Sequence, residues 1–420
     1  MNEIFKKLKK YNYWQKKKIN IGYKRKIYLK RLKKYTNNKL VKVLVGQRRV
    51  GKSYLLRQII QELIQNKIKP QNIFYLNKEN IAFDEIRNEK DLLKLIEFYK
   101  KELKIKGRIY LFLDEIQEVQ NWEKLINSLS QDINDDYEIF ISGSNSKLLS
   151  GELSTYLSGR YISFEILPFS FFEYLEYFKL SKSKENYLAY LKIGGLPELY
   201  NLETEEVKSH YVASLYDSIL LKDIVKRYNI KNIKLLEEVF KFLIDNIGNL
   251  FSINKIVNYL NSKKAKTNFD TISNYIKYLE QSFLVHSVNR FDLKGKNILV
   301  SSRKYFLNDL SFRNYLSSSF DYGLGKHLEN SIYIHFRSLG YKIYVGSILG
   351  LEVDFVIEKN KEKKYIQVAY TLNDKKIIER EFKSLEKIKD SYEKMVITLD
   401  DVSLGNKNGI KHLLAWEIVS

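Results

Sequence analysis

The stretch "VKVLVGQRRVGKSYLLRQIIQELI", residues 41–64, constrains this chain more than any other. Val41–Val45 is a short run rich in β-branched residues. Gly46 through Ser53 then reads G-x-x-x-x-G-K-S, and Leu55, Leu56, Ile59, Ile60 and Leu63 recur at helical spacing. Strand, glycine loop and helix in that order form the context in which such a loop cradles phosphate. Glycines at 46 and 51 let backbone N–H groups turn inward, and the first turn of the helix adds its dipole. Lys52 is expected to reach the β- and γ-phosphates, with Ser53 on Mg²⁺. The candidate nucleotide-binding residues are Gly46, Gln47, Arg48, Arg49, Val50, Gly51, Lys52, Ser53 and Tyr54.

A second stretch, "RIYLFLDEIQ" at 108–117, completes the chemistry. Ile109 to Leu113 are apolar without interruption, as in a strand buried on both faces of a parallel sheet. Asp114 at its end is the candidate magnesium carboxylate, and Glu115 the candidate group that polarises an attacking water. Ligands of open α/β sheets gather at that edge. Further strands are expected at Asn72–Leu76, at Glu138–Ser142 and around Ile162–Leu167. The polar exit of the second of these, Ser144 and Asn145, is a candidate contact to the γ-phosphate or the water. No N-K-x-D guanine-reading pattern is seen, so ATP is the expected nucleotide.

A chain of 420 residues exceeds one core, and two to four domains are expected. It contains no cysteine, which excludes disulfides, iron–sulfur clusters and thiolate zinc sites. No apolar run approaches 18 residues and the first residues lack an apolar leader. The reading is therefore a cytoplasmic protein without membrane insertion. The formal net charge of +22 is unevenly spread, since residues 1–42 hold sixteen Lys or Arg against the single acid Glu3. Such a basic head suits phosphate backbones or an acidic partner, or else a solvated surface.

The segments "GQRRVGKS", "LFLDEIQ", "SGSNSKLLSGELSTYLSGRYISFEILPFSFFEYL" and "GGLPELY" together resemble the prokaryotic AAA-type ATPases that carry a C-terminal DUF4143 domain. "KYFLNDLSFRNYL" and "GLGKHLENSIY" extend the resemblance over nearly the whole chain. It implies that the 142–145 turn is the sensor region. It also implies that Arg160, in "LSGRY", is an arginine delivered to the γ-phosphate of a neighbouring subunit, a simple salt bridge being the alternative.

Past Pro168 the pattern turns helical and aromatic, and "GGLPEL" (194–199) is read as a rigid loop near the nucleotide. Residues 233–290 give three helices and a strand-like exit, resembling a winged helix-turn-helix. Asn274 and Lys277 on the third helix, with Lys263, Lys264 and Lys266 before it, are candidate contacts to double-stranded DNA. Intramolecular or protein docking is the competing use. His286 is read as structural.

From about Gly325 the rhythm is helix, three strands, helix, strand, which resembles the core of PD-(D/E)xK nucleases. That resemblance places acids at Glu329 and Asp354, and asks for an acid-x-Lys on the next strand. Gln367 and Ala369 stand there instead. An amide is a poor ligand for a hard cation and an alanine cannot hold water. A metal-dependent nuclease is therefore the least favoured reading, and a fold used for binding or assembly is preferred.

The resulting fold class is multidomain α/β. Its parts are a basic segment (1–34), a P-loop AAA-type ATPase core (35–167), a helical lid (168–230) and a winged-helix-like module (231–290). A connector (291–324) and a restriction-endonuclease-like α/β domain (325–420) follow. The expected function is Mg²⁺-dependent ATP hydrolysis, with Lys52, Glu115 and Arg160 as catalytic candidates and Ser53 and Asp114 on the metal. Hydrolysis would drive rearrangement of the C-terminal modules, on DNA, in a homo-oligomer or with a protein partner. A nucleotide-gated DNA-binding or scaffold protein with negligible turnover is the alternative.

Overall fold

A computed structural model describes residues 1–15, 20–149, 156–157, 159–317 and 323–418. Parts of the basic head and of the "SKLLSGELSTYLSGR" stretch thus lie outside the described residues. Two compact units account for the chain, Met1–Ile166 and Leu167–Ser420. Among the described residues no helix is long and apolar enough to cross a membrane.

In the first unit, helices α1 (Asn2–Tyr11) and α2 (Lys26–Lys33) precede strand β1 (Val41–Val45) and helix α3 (Lys52–Gln65). Strand β2 (Ile73–Asn77), α4 (Glu89–Leu103), β3 (Ile109–Asp114), α5 (Trp122–Ser130), β4 (Tyr137–Gly143) and β5 (Tyr161–Glu165) follow. The five strands form an all-parallel sheet in the order β2-β3-β4-β1-β5. Every residue of β1, β3 and β4 is buried, which explains the unbroken apolar run of β3, and the buried Lys42 of β1 pairs with Glu138 of β4. Phe112 and Phe140 stack at 4.7 Å across neighbouring strands.

The basic head is part of this unit. Ile4, Phe5 and Leu8 of α1 and Tyr28, Leu29 and Leu32 of α2 are buried, while Lys6, Lys10, Lys26, Lys30, Lys33 and Lys34 face solvent. Asn12 and Trp14 then close the open edge of the sheet. The Asn12 amide donates to Tyr75 O at 2.9 Å and accepts from Tyr75 N at 2.8 Å. Trp14 Nε1 donates to Ile73 O at 2.7 Å. These side chains supply the hydrogen bonds that a further strand would give.

The second unit starts with helices α6 (Phe171–Phe178), α7 (Lys184–Ile193) and α8 (Glu205–Ser218). A capping box of Ser170 and Glu173 starts α6. Next come α9 (Ile233–Asp245), β6 (Leu250–Phe251), α10 (Ile253–Ser262), α11 (Phe269–Gln281) and the hairpin β7 (Val285–Asp292) with β8 (Asn297–Leu307). The short β6 pairs antiparallel with β8. Helices α12 (Ser311–Leu316) and α13 (Leu324–Ser338) lead to β9 (Lys342–Ile348), β10 (Leu351–Lys359) and β11 (Glu362–Val368). Helix α14 (Lys375–Glu386), β12 (Glu393–Thr398), β13 (Asn406–Lys407) and β14 (Ile410–Leu414) end the chain.

Strands β9, β10 and β11 form an antiparallel meander, and β12 joins β11 in parallel. Beyond the expected last strand, β14 pairs parallel to β12. The hairpin does not stand apart from this sheet. Arg290–Asp292 of β7 run parallel to Val345–Ser347 of β9, so one nine-stranded sheet runs from β13 to β6. The loop at 194–199 packs within this unit. Gly195 N donates to Asp309 Oδ2 at 2.7 Å, which leaves no room for a side chain there: a Cβ on Gly195 would lie 2.3 Å from Phe169 O.

Candidate functional site

The phosphate-type loop leaves the C-terminal end of β1, an interior strand of the first sheet between β4 and β5. Gly46 has φ of +154°, and an added Cβ would lie 2.2 Å from Ile166 O, so only glycine fits. Gly51, at φ +96°, caps α3. Lys52, in the first turn of α3, is buried, and its ammonium donates to Gly46 O at 2.9 Å and Gln47 O at 3.1 Å. Arg48 pairs with Glu79, Arg49 is exposed, Val50 is buried, and the exposed Tyr54 ring lies over Gly22.

Asp114 ends β3, one strand across, and is fully buried. Ser142 Oγ donates to one of its oxygens and Tyr75 OH to the other at 3.0 Å, while Ser53 also bonds its side chain. Burial, then the like charge of Glu115, holds the Asp114 carboxyl above the usual range, and those three bonds oppose the rise. Glu115 follows with a left-handed backbone, φ +53°, a conformation that concentrates at functional sites. Its carboxylate lies 3.5 Å from Lys52 Nζ and accepts from Gln117 Nε2 and from Ser144 N at 3.2 Å. Burial pushes the Glu115 carboxyl up, but Lys52 and its hydrogen-bond partners outweigh this and leave it below its ordinary value.

Lys52, Ser53, Asp114, Glu115, Ser144 and Asn145 thus meet at one edge of the sheet. Ser144 Oγ is buried without a hydrogen-bond partner among the described residues, an available donor beside Glu115. The metal implied by the loop fits this donor set. A hydroxyl and a carboxylate already bonded to each other are hard oxygens of the kind Mg²⁺ takes beside phosphate oxygens and waters. Sequence reasoning missed Tyr75 and Gln117. The register Asn77↔Asp114 sets the tyrosine beside the carboxylate, and that register is invisible before the strands are paired.

Arg160 is not part of this cluster. It is exposed and directly precedes β5, where its carbonyl accepts from Val41 N. This is the opposite end of β1 from the loop. In the second unit Lys263, Lys264, Lys266, Asn274 and Lys277 are all exposed. His286 bonds Asn308 Oδ1 at 3.0 Å and is structural.

Glu329 on α13 and Asp354 on β10 do come together, with a partner the sequence reading missed. Lys304 of β8 places its ammonium 2.7 Å from Glu329, 2.7 Å from Glu352 and 2.9 Å from Asp354. Burial opposes its charge, yet the three carboxylates hold it well above the usual lysine range. Gln367 serves the same cluster as a structural amide. Its oxygen accepts from Asp354 N at 3.4 Å and its Nε2 donates to Glu381 at 3.1 Å. Ala369 is buried in the apolar core against β12.

Residues 38–175 match the family model of an AAA domain, and residues 184–323 match that of a domain of unknown function, DUF8612. The second match corrects the DUF4143 assignment, because "GGLPELY" and "KYFLNDLSFRNYL", which carried that resemblance, fall inside DUF8612. Among solved structures, the Aeropyrum pernix Orc1 protein in complex with DNA is 14% identical, covers 70% of this chain and 93% of its own, and has a TM-score of 0.33. AMPPCP-bound DnaA from Aquifex aeolicus is 16% identical over 64% of this chain and 90% of its own, with a TM-score of 0.31. At those scores neither likeness bears on what this chain binds. Sequence relatives are far nearer. An uncharacterized protein of Haemophilus influenzae is 37% identical over 378 residues, 89% of this chain and 92% of that protein. The uncharacterized protein MJ1544 of Methanocaldococcus jannaschii is 36% identical over 385 residues, 87% of this chain and 81% of that one. The chain belongs to the family of these two proteins, and in this chain an AAA domain is followed by DUF8612.

Proposed function

We propose that the first unit binds ATP with Mg²⁺ and hydrolyses it, and that nucleotide state changes the placement of the modules in the second. The single observation that carries this reading is the meeting of Lys52, Ser53, Asp114 and Glu115 at the exit of β1 and β3. Loop N–H groups and the N-terminus of α3 receive the phosphates. Lys52 exchanges its two loop carbonyls for phosphate oxygens. Ser53 and Asp114 would hold a magnesium ion, which would supply positive charge against the phosphates. Glu115, kept ionised by Lys52, accepts a hydrogen bond from a water and aims it at the γ-phosphate. Arg160, at the far end of β1, serves the site of a neighbouring copy rather than its own.

Purified protein should release phosphate from ATP only with Mg²⁺. Lys52→Ala and Glu115→Gln should each cut turnover by about 100-fold or more. Turnover unchanged in both variants would overturn the assignment.

A second reading, duplex DNA binding by the second unit, is favoured by the order α9, β6, α10, α11, β7, β8. That is the order of a winged helix, with α11 as the recognition helix. The succession α13, β9, β10, β11, α14, β12 likewise supports a nuclease-like fold, which we take to be catalytically silent.

A further inference from the structure

Lys304, Glu329, Glu352 and Asp354 come from three separate elements and close on one point. Lys304 stands on the middle strand of β7, β8 and β6, opposite Val288 and Leu250. Glu352 and Asp354 share one face of β10 by their two-residue spacing, and Glu329 descends from α13. An ammonium has three N–H donors and no acceptor. Here each donor has one carboxylate oxygen, at 2.7, 2.7 and 2.9 Å, and the lysine side chain is only 3% exposed. The coordination of this cation is complete.

The space around Asp354 and Glu329 is filled, while Glu352 reaches the cluster from the solvent side. The second oxygen of Asp354 accepts from Val368 N at 2.9 Å. The Gly248 turn, at φ +70°, lies so close to Glu329 that a Cβ there would sit 2.6 Å from Oε2. A divalent ion on these carboxylates would need the point that Lys304 Nζ occupies. The residues therefore do not fit the metal that a nuclease-like fold implies.

We propose that the Lys304 ammonium is a built-in cation standing where a divalent ion would bind, so that the native site takes no metal and removal of the ammonium opens one on Glu329, Glu352 and Asp354. The acids are not remnants with nothing to do. They tie the β7–β8 hairpin to α13 and β10 through one charge, and losing that charge leaves three carboxylates facing one another. Such an uncompensated cluster is destabilising until a cation or a proton neutralises it, and burial already pushes the Glu329 carboxyl up to about 8. None of this depends on whether the first unit hydrolyses ATP.

The test uses full-length, nucleotide-free protein carrying Asp114→Asn, so that the phosphate-loop site contributes nothing, with Mn²⁺ as the probe. In this background the Lys304 protein should melt at the same temperature in chelator and in about 1 mM Mn²⁺. Adding Lys304→Met should lower the melting temperature in chelator. Mn²⁺ should restore several degrees and bind with one more ion per chain than before. Adding Asp354→Asn as well should abolish both gains. A folded Lys304→Met protein that ignores Mn²⁺, or one whose recovery survives Asp354→Asn, overturns the proposal. Should Lys304→Met not fold, the lysine-containing protein decides alone. A Mn²⁺-dependent rise in its melting temperature that Asp354→Asn removes would mean that a metal shares or displaces the ammonium, and no rise supports the proposal.

Discussion

Asp309 shows how one buried carboxyl sets a pH dependence in the second unit. Its oxygens accept from Gly195 N and from Ser311 N, at 2.7 and 2.9 Å. Burial pushes its pKa up to about 6 from an ordinary 3.8, and those same bonds limit the rise. Tyr200 and Tyr315 lie near it, but burial drives both hydroxyls upward, so neither titrates in the same window. The folded chain therefore binds a proton at Asp309 more readily than the unfolded chain. Stability from this group falls as pH rises from 3.8 to about 6, and the cost is present in full above that range. That rise corresponds to about 3 kcal/mol. Relative to Asp309→Asn, the wild type should lose about that much unfolding free energy between pH 4 and 7, read from denaturant curves at each pH. A difference that stays flat across those pH values would sink this account. Neither the burial nor its partner loop is legible in "FLNDLSF", because Gly194 and Gly195 lie more than a hundred residues upstream. Lys52, Ser53, Asp114 and Glu115 were legible because each closes a strand or opens a helix inside its own short motif.

At the scale of elements, the edge strand β2 depends on a side chain from outside the sheet. Asn12 is 1% exposed and bonds both the N–H and the C=O of Tyr75. Asn12→Ala would strand two buried backbone groups and should cost about 3 kcal/mol. Amide hydrogen exchange at Tyr75 should speed up selectively, while that of the central strand β1 changes only with the global stability. Unaltered protection at Tyr75 would show that the edge is sealed by other groups. The basic head was read from charge as a surface for phosphate or an acidic partner, or as a solvated surface, and its packing into the first unit was not foreseen. Ile4, Phe5, Leu8, Tyr28, Leu29 and Leu32 are spaced for helices, but spacing alone does not say what covers them. Strand β14 was not expected, and β8 fell in the stretch read as a connector. The long strands of the first sheet, strands β9 to β12, and helices α3, α9, α10, α11, α13 and α14 were legible from periodicity and turn residues. The parallel pairing of β7 with β9 was not, since a crossover carrying two helices leaves no local trace of which strand it reaches. Lys304 was hidden by the same pairing problem, because only the assembled sheet brings β8 to the carboxylates of α13 and β10.

At the scale of the whole molecule, two exposed lysine clusters make different predictions for DNA. One is the solvent face of α2, with Lys26, Lys30 and Lys33 about one helical turn apart. The other is the approach to α11, where Lys263, Lys264 and Lys266 precede the exposed Asn274 and Lys277. The pairing of β7 with β9 constrains the second surface. Backbone groups of Arg290–Asp292 are committed to β9, while the hairpin tip keeps Lys294 and Lys296 exposed. Contact should then rest on α11 and the lysines before it. Each lysine that neutralises a phosphate releases counterion, so charge reversal must lower the salt dependence as well as the affinity. Lys263→Glu, Lys264→Glu and Lys266→Glu together should weaken duplex binding by about tenfold or more. They should also flatten the plot of log affinity against log salt by about 2 to 3 in slope. Reversal of Lys26, Lys30 and Lys33 should change that slope by less than about 1. The opposite ranking would move the DNA surface to the first unit, and affinity indifferent to salt would remove DNA from the partners of this chain altogether.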